Sequence, residues 1–121
     1  QMKLLTAAIK TQMQKNAKNQ DQDHKPVLKL FSPVGGATWL LTELEGDSAF
    51  GLCDLGQGMP ELGSVSISEL ENTTLPMGLK IERDLYFTAD KTLSEYVTAA
   101  RDKQNHSPWL SGASDSGSIA A

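Results

Sequence analysis

The spacing of apolar residues changes twice along this chain, from a helical period to an alternating one and back, and each change restricts the fold. Leu4, Leu5, Ala8, Ile9 and Met13 recur at helical spacing, with Lys3, Lys10, Gln14 and Lys15 turned elsewhere. This predicts an amphipathic first helix with Thr6 as its N-cap. After Pro26, which sets an extended chain, the period becomes two. VLKLF from Val27 and ATWLLTELE from Ala37 read as strands, with Pro33, Gly35 and Gly36 making the turn between them. Gly46-Asp47 closes a hairpin onto SAFGLCDL, so these three segments predict a meander. GQGMPELG is turn chemistry, and a short strand follows over residues 64–67.

In SISELE, Ser66 with Glu69 and Ser68 with Glu71 both have the spacing of a capping box, which predicts a short helical turn. Over residues 79–88, Ile81, Leu85 and Phe87 share parity with Arg83 against Lys80, Glu82, Asp84 and Tyr86, the pattern of a half-buried strand. The helical period then returns. Thr92 and Glu95 form a second capping box, and Leu93, Tyr96, Val97 and Ala100 lie at i, i+3, i+4 and i+7, predicting a helix over residues 92–103.

A chain of 121 residues has room for one domain with one core. Its elements combine into an α+β fold: an antiparallel sheet of about four or five strands with an N-terminal helix, a short middle helix and a C-terminal helix. The expected divisions are an N-terminal helix over 1–15, a polar linker over 16–26, the α+β core over 27–105 and a tail over 106–121. The tail, with its Ser, Gly and Ala, has too little apolar area to offset its ordering entropy and is expected to be flexible. Gln1 ahead of Met2 reads as an addition before the natural start.

Net charge is −4, divided unevenly. Residues 1–26 carry five lysines against Asp21 and Asp23, whereas the remainder has six basic and thirteen acidic side chains. An acidic body argues against direct binding to a nucleic-acid backbone, which needs clustered Lys and Arg, and suits a basic protein partner. Cys53 is the only cysteine, so no internal disulfide is possible, and no Cys/His spacing suggests zinc. No apolar run reaches the ~20 residues of a membrane span, and the start is a poor secretory signal, so a cytoplasmic, membrane-free protein is expected.

Few residues suggest catalysis. His24 lies in the linker and His106 at the edge of the tail, neither held where a scaffold could place it beside a nucleophile. Cys53, in mid-strand, reads as a small buried side chain. The glycines match no phosphate-loop pattern, so no catalytic residue and no cofactor is assigned. Asp54, Glu61, Glu69, Glu82 and Asp84 are the acids that could converge, as a binding face or, for Asp54, Glu61, Glu82 and Asp84, as cation ligands or acid–base groups. Arg83 shares parity with Ile81 and Leu85, so it should be half-buried and paired with one of these acids. Trp39 fits the core, while Trp109, beside Pro108 and Leu110, is an apolar island suited either to docking or to a crystal contact.

Together MKLLT, KLFSP, TWLLTELE, FGLCDLGQGMPELG, SISELE, LPMGLKIERDLYF and TLSEY resemble the domain-of-unknown-function family numbered 2958, collinearly from Met2 to about Ala100. The resemblance implies a small bacterial protein of the kind found among plasmid, phage and integrative-element genes, and it supplies no catalytic residues. Glu61, Glu69, Glu82, Arg83 and Asp84 fall within its shared strings. The expectation is a non-enzymatic accessory protein of a mobile element that binds another protein through an acidic face, such as a host defence factor or a nucleic-acid-binding protein. The alternatives are a carboxylate-based metal-binding domain or small enzyme, and a structural subunit pairing through a sheet edge; monomer and homodimer both remain open.

Overall fold

A computed structural model describes residues 4–56 and 60–105. The Thr6 side chain accepts a hydrogen bond from the Ile9 N–H and opens α1, Ala7–Ala17. Four strands follow in meander order, β1 Leu28–Phe31, β2 Thr38–Glu45, β3 Ser48–Asp54 and β4 Glu61–Ser66. After α2, Ile67–Asn72, and a 3₁₀ turn at Pro76–Gly78, β5 Glu82–Arg83 pairs with β1, and α3, Leu93–Asn105, ends the described chain. The sheet is antiparallel throughout, in the order β4-β3-β2-β1-β5. This is the α+β architecture that the alternation of periods implies.

The two faces of the sheet bury different helices. Leu28 and Leu30 on β1, Trp39, Leu41 and Leu44 on β2, and Ala49 on β3 pack with Leu4, Met13, Ile67 and Ile81 beneath α1. The opposite face gathers Leu40, Phe50 and Leu52 under Leu93, Tyr96, Val97 and Ala100 of α3. Leu4, Leu28, Leu30 and Leu41 are at most 1% exposed, and each such burial contributes roughly 1.5–3 kcal/mol. The α1 face is therefore the main core.

A bulge in β2 makes that core continuous. Strict alternation from Trp39 and Leu41 would turn Glu43 inward and Leu44 outward. The register instead shifts between Leu41 and Glu43, so Leu44 pairs with Ala49 on the α1 face and Glu43 pairs with Phe50 on the other. The bulged Thr42 is 1% exposed, and its carbonyl lies at the register shift between Leu41 and Glu43. Asn16, in the last turn of α1, donates from Nδ2 to that carbonyl at 2.9 Å and accepts from Gln12 Nε2 at 2.9 Å. The position opposite the bulge must be glycine, because a Cβ on Gly51 would lie 2.0 Å from the Leu40 carbonyl oxygen.

Three local expectations change. Residues 16–26 are not simply an exposed linker: α1 runs on to Ala17, Asn16 and Pro26 are buried, and the segment holds the start of α3. There Leu93 N–H donates to the His24 carbonyl, and Asp23 accepts from the Ser94 N–H and hydroxyl. The strand expected over 64–67 spans Glu61–Ser66, and Ile67 turns into α2 with Ser66 as N-cap. The strand expected over 79–88 shrinks to Glu82–Arg83. Asp84 stops it by accepting the Tyr86 N–H in a turn, which leaves Leu85 and Tyr86 64% and 94% exposed.

Candidate functional site

Register decides where the predicted site residues lie. One row crosses the α1 face, from Glu61 on β4 through Cys53, Trp39 and Leu30 to Arg83 on β5. The next row crosses the α3 face from Asp54 through Thr38 and Phe31 to Glu82. At about 4.8 Å per strand, Glu61 and Arg83 are separated by roughly 19 Å of sheet, and Asp54 and Glu82 by roughly 14 Å. Asp84 lies past β5 with its carboxylate 3.8 Å from Lys29 Nζ, and Glu69 is exposed on α2.

Asp54, Glu61, Glu69, Glu82, Arg83 and Asp84 therefore do not form one acidic face. Parity sends alternate residues to opposite sides, and topology places β4 and β5 at opposite edges. The same separation prevents Asp54, Glu61, Glu82 and Asp84 from jointly holding a cation whose oxygen ligands lie at about 2.3–2.6 Å. Among the described residues no group of three or more His, Cys, Asp and Glu is placed to hold a metal ion.

Several candidates have structural partners. Arg83 is half-buried and donates from Nη1 to the Leu4 carbonyl at 3.0 Å, while Glu71 accepts the Leu4 N–H at 3.0 Å, so the two side chains grip the chain just before α1. Trp39 is 7% exposed in the core, and Trp109 and His106 lie outside the described residues. Cys53 is half-buried, and desolvation, with a smaller contribution from the Glu61 carboxylate, pushes its thiol pKa up. A raised pKa keeps the thiol protonated and poorly nucleophilic. His24 is only partly exposed, and its Nε2 lies 2.8 Å from the Asn19 carbonyl oxygen.

The fold does bring together a different set of charges. Between Leu30 and Leu79 the sequence has no Lys, Arg or His, but it has Glu43, Glu45, Asp47, Asp54, Glu61, Glu69 and Glu71. This stretch contains β2, β3 and β4, one side of the sheet, and α2, whose Glu71 meets Arg83 at Leu4, while Lys29 and Arg83 stand on β1 and β5. The β4 border has acids near both ends. Glu61 starts the strand beside the end of β3 at Asp54, and Asp47 meets its far end, accepting from the Ser66 and Ser68 hydroxyls and the Ser68 N–H. Those bonds, led by the Ser66 hydroxyl, hold the Asp47 carboxyl below its ordinary pKa, so it stays charged. Glu43 is different: burial raises its pKa. The signal was in the sequence as a long stretch without a basic residue, and topology places Asp47, Asp54 and Glu61 at the β3–β4 side of the sheet, with Glu43 and Glu45 on the central strand β2.

The family described as a protein of unknown function, DUF2958, matches residues 2–107. The chain belongs to this family. Comparison with curated proteins and with solved structures gives no match. The DUF2958 match covers every element from α1 to α3, so the sheet and both of its helical layers are part of the family's domain. Among the described residues of this DUF2958 chain, no helix is long and apolar enough to cross a membrane.

Proposed function

We propose that this DUF2958 protein is a non-catalytic binding domain that holds a basic protein against the acidic, β4-side half of its sheet. The observation that carries the reading is that the consecutive strands β2, β3 and β4 carry carboxylates and no cationic side chain of their own. Charge of one sign spread over contiguous elements creates a field that steers an oppositely charged partner and repels nucleic-acid phosphates. The family resemblance suggests the setting, a bacterial mobile element whose accessory protein occupies the basic surface of a host factor. A metal-dependent or acid–base function receives less support, because its candidate carboxylates lie on two faces and two edges.

Capture from a bacterial lysate tests the proposal with three baits: wild type, Glu61→Lys/Glu69→Lys, and Glu82→Lys on the far edge. All three positions are exposed. Wild type and Glu82→Lys should retain a stoichiometric basic protein at about 0.1 M salt and release it near 1 M, where the Debye length falls to about 3 Å. Glu61→Lys/Glu69→Lys should not retain it. Equal capture by all three baits, or no salt-sensitive basic partner for any, would overturn the proposal.

A further inference from the structure

We infer that the chain beyond α3 folds back and places the Trp109 side chain in an apolar hollow beneath the C-terminal half of that helix. The α3 layer is unevenly packed. Leu93 and Val97 are buried against Leu52, whereas Ala100, one turn further on, is only partly buried and Ala99 is exposed. Beneath those two alanines lies a hollow of about 290 Å³, with Leu40 and Leu52 of the sheet in its lining. Alanine is too short to reach across it, so the lining lacks the close contacts of a packed core. Thr38 and Asp54, paired across β2 and β3, supply its polar groups.

The chain's own continuation fits this hollow in reach and in chemistry. α3 is held at its start, where Leu93 N–H donates to the His24 carbonyl and Ser94 N–H to Asp23, and it runs toward the Thr38–Asp54 end of the sheet. Asn105 ends the helix about 7.5 Å beyond Ala100, and the four residues from there to Trp109 can span about 13 Å, enough to return. Trp109, with Pro108 and Leu110, is the apolar island in a stretch otherwise rich in Ser, Gly and Ala. Indole offers a large apolar body to Leu40 and Leu52 and a single N–H donor. The Thr38 hydroxyl can accept that N–H, and so can Asp54, whose Oδ1 already accepts the Gly56 N–H while Oδ2 is a second acceptor. A short tether gives an effective concentration of about millimolar, which favours this Trp109 over that of another copy.

Fluorescence of the full chain tests the inference, with the spectrum of Trp109→Phe subtracted to remove the Trp39 emission. The Trp109 emission should be blue-shifted and shielded from acrylamide, at about 1 M salt as well as at 0.1 M, because apolar contact is not screened. Ala99→Glu puts a carboxylate into the hollow from an exposed helical position; it should unshield Trp109 while leaving the circular dichroism unchanged. Trp109→Ala should lower the folded-to-unfolded ratio about tenfold in urea unfolding. A solvent-like Trp109 emission, equal shielding in Ala99→Glu, or an unchanged urea midpoint in Trp109→Ala would each overturn the inference. Shielding that grows with protein concentration, together with a dimer in light scattering, would overturn it in favour of exchange between copies.

Discussion

Replacing Asn16 by Ala tests whether the fold depends on a single side chain reaching from α1 to the β2 bulge. Asn16 is 6% exposed and donates to the Thr42 carbonyl at 2.9 Å. Alanine removes the only side-chain donor seen at that carbonyl among the described residues and leaves the acceptor inside the core. A buried polar group stripped of its partner costs about 1–3 kcal/mol, against which alanine recovers roughly 0.5 kcal/mol of helix propensity. The net expectation is a loss of about 2 kcal/mol, a fall of about 8 °C in Tm for a domain of this size. Gln12→Ala is the control, since it removes only the exposed residue that donates to Asn16 Oδ1 and should cost about 0.5 kcal/mol or less. Urea unfolding followed by circular dichroism measures both, with the m-value expected to stay constant. If Asn16→Ala and Gln12→Ala lie within about 0.5 kcal/mol of each other, the Asn16–Thr42 bond is not what holds the helix over the bulge.

Three further outcomes follow from the same geometry. Gly51→Ala should lose at least about 3 kcal/mol in urea unfolding or fail to fold, because its Cβ would sit 2.7 Å from Leu41 Cα; Gly63→Ala, in open space, should be close to neutral, and equal stability of the two would refute the packing argument. Asp23 is held below the ordinary aspartate value of 3.8, chiefly by the Ser94 hydroxyl and then by Thr92, so it stabilises the charged folded state above pH 3.8 and that contribution is lost as pH falls through the lower folded value. The Tm gap between wild type and Asp23→Asn should accordingly close on acidification, and a gap constant with pH would refute the assignment. Cys53 should react slowly with a disulfide reagent at neutral pH, and Glu61→Gln should speed it by removing a carboxylate that raises the thiol pKa; an unchanged or lower rate would show that burial alone governs the thiol.

What the sequence determined by itself is local. Thr6, Ser66 and Thr92 cap their helices because each side-chain oxygen meets an N–H three residues on, a distance set by the helix alone. Gly46 takes the positive φ of the β2–β3 turn for an equally local reason, and alternation over VLKLF and TWLLTELE identifies the strands. Tertiary structure decided everything that depends on which strand neighbours which. The Thr42 bulge sends Glu43 outward and draws Asn16 into the core, although nothing near Asn16 in the chain marks it as buried. In sequence Glu61 reads as part of a turn and Glu82 as part of a strand, with nothing to separate them in space, but the order β4-β3-β2-β1-β5 puts them on opposite borders. A strand's period says which residues share its face, whereas contacts across a sheet follow from pairing over long sequence separations. The acidic border belongs to that second kind of information: its composition can be read from the chain, and its position comes from the pairing.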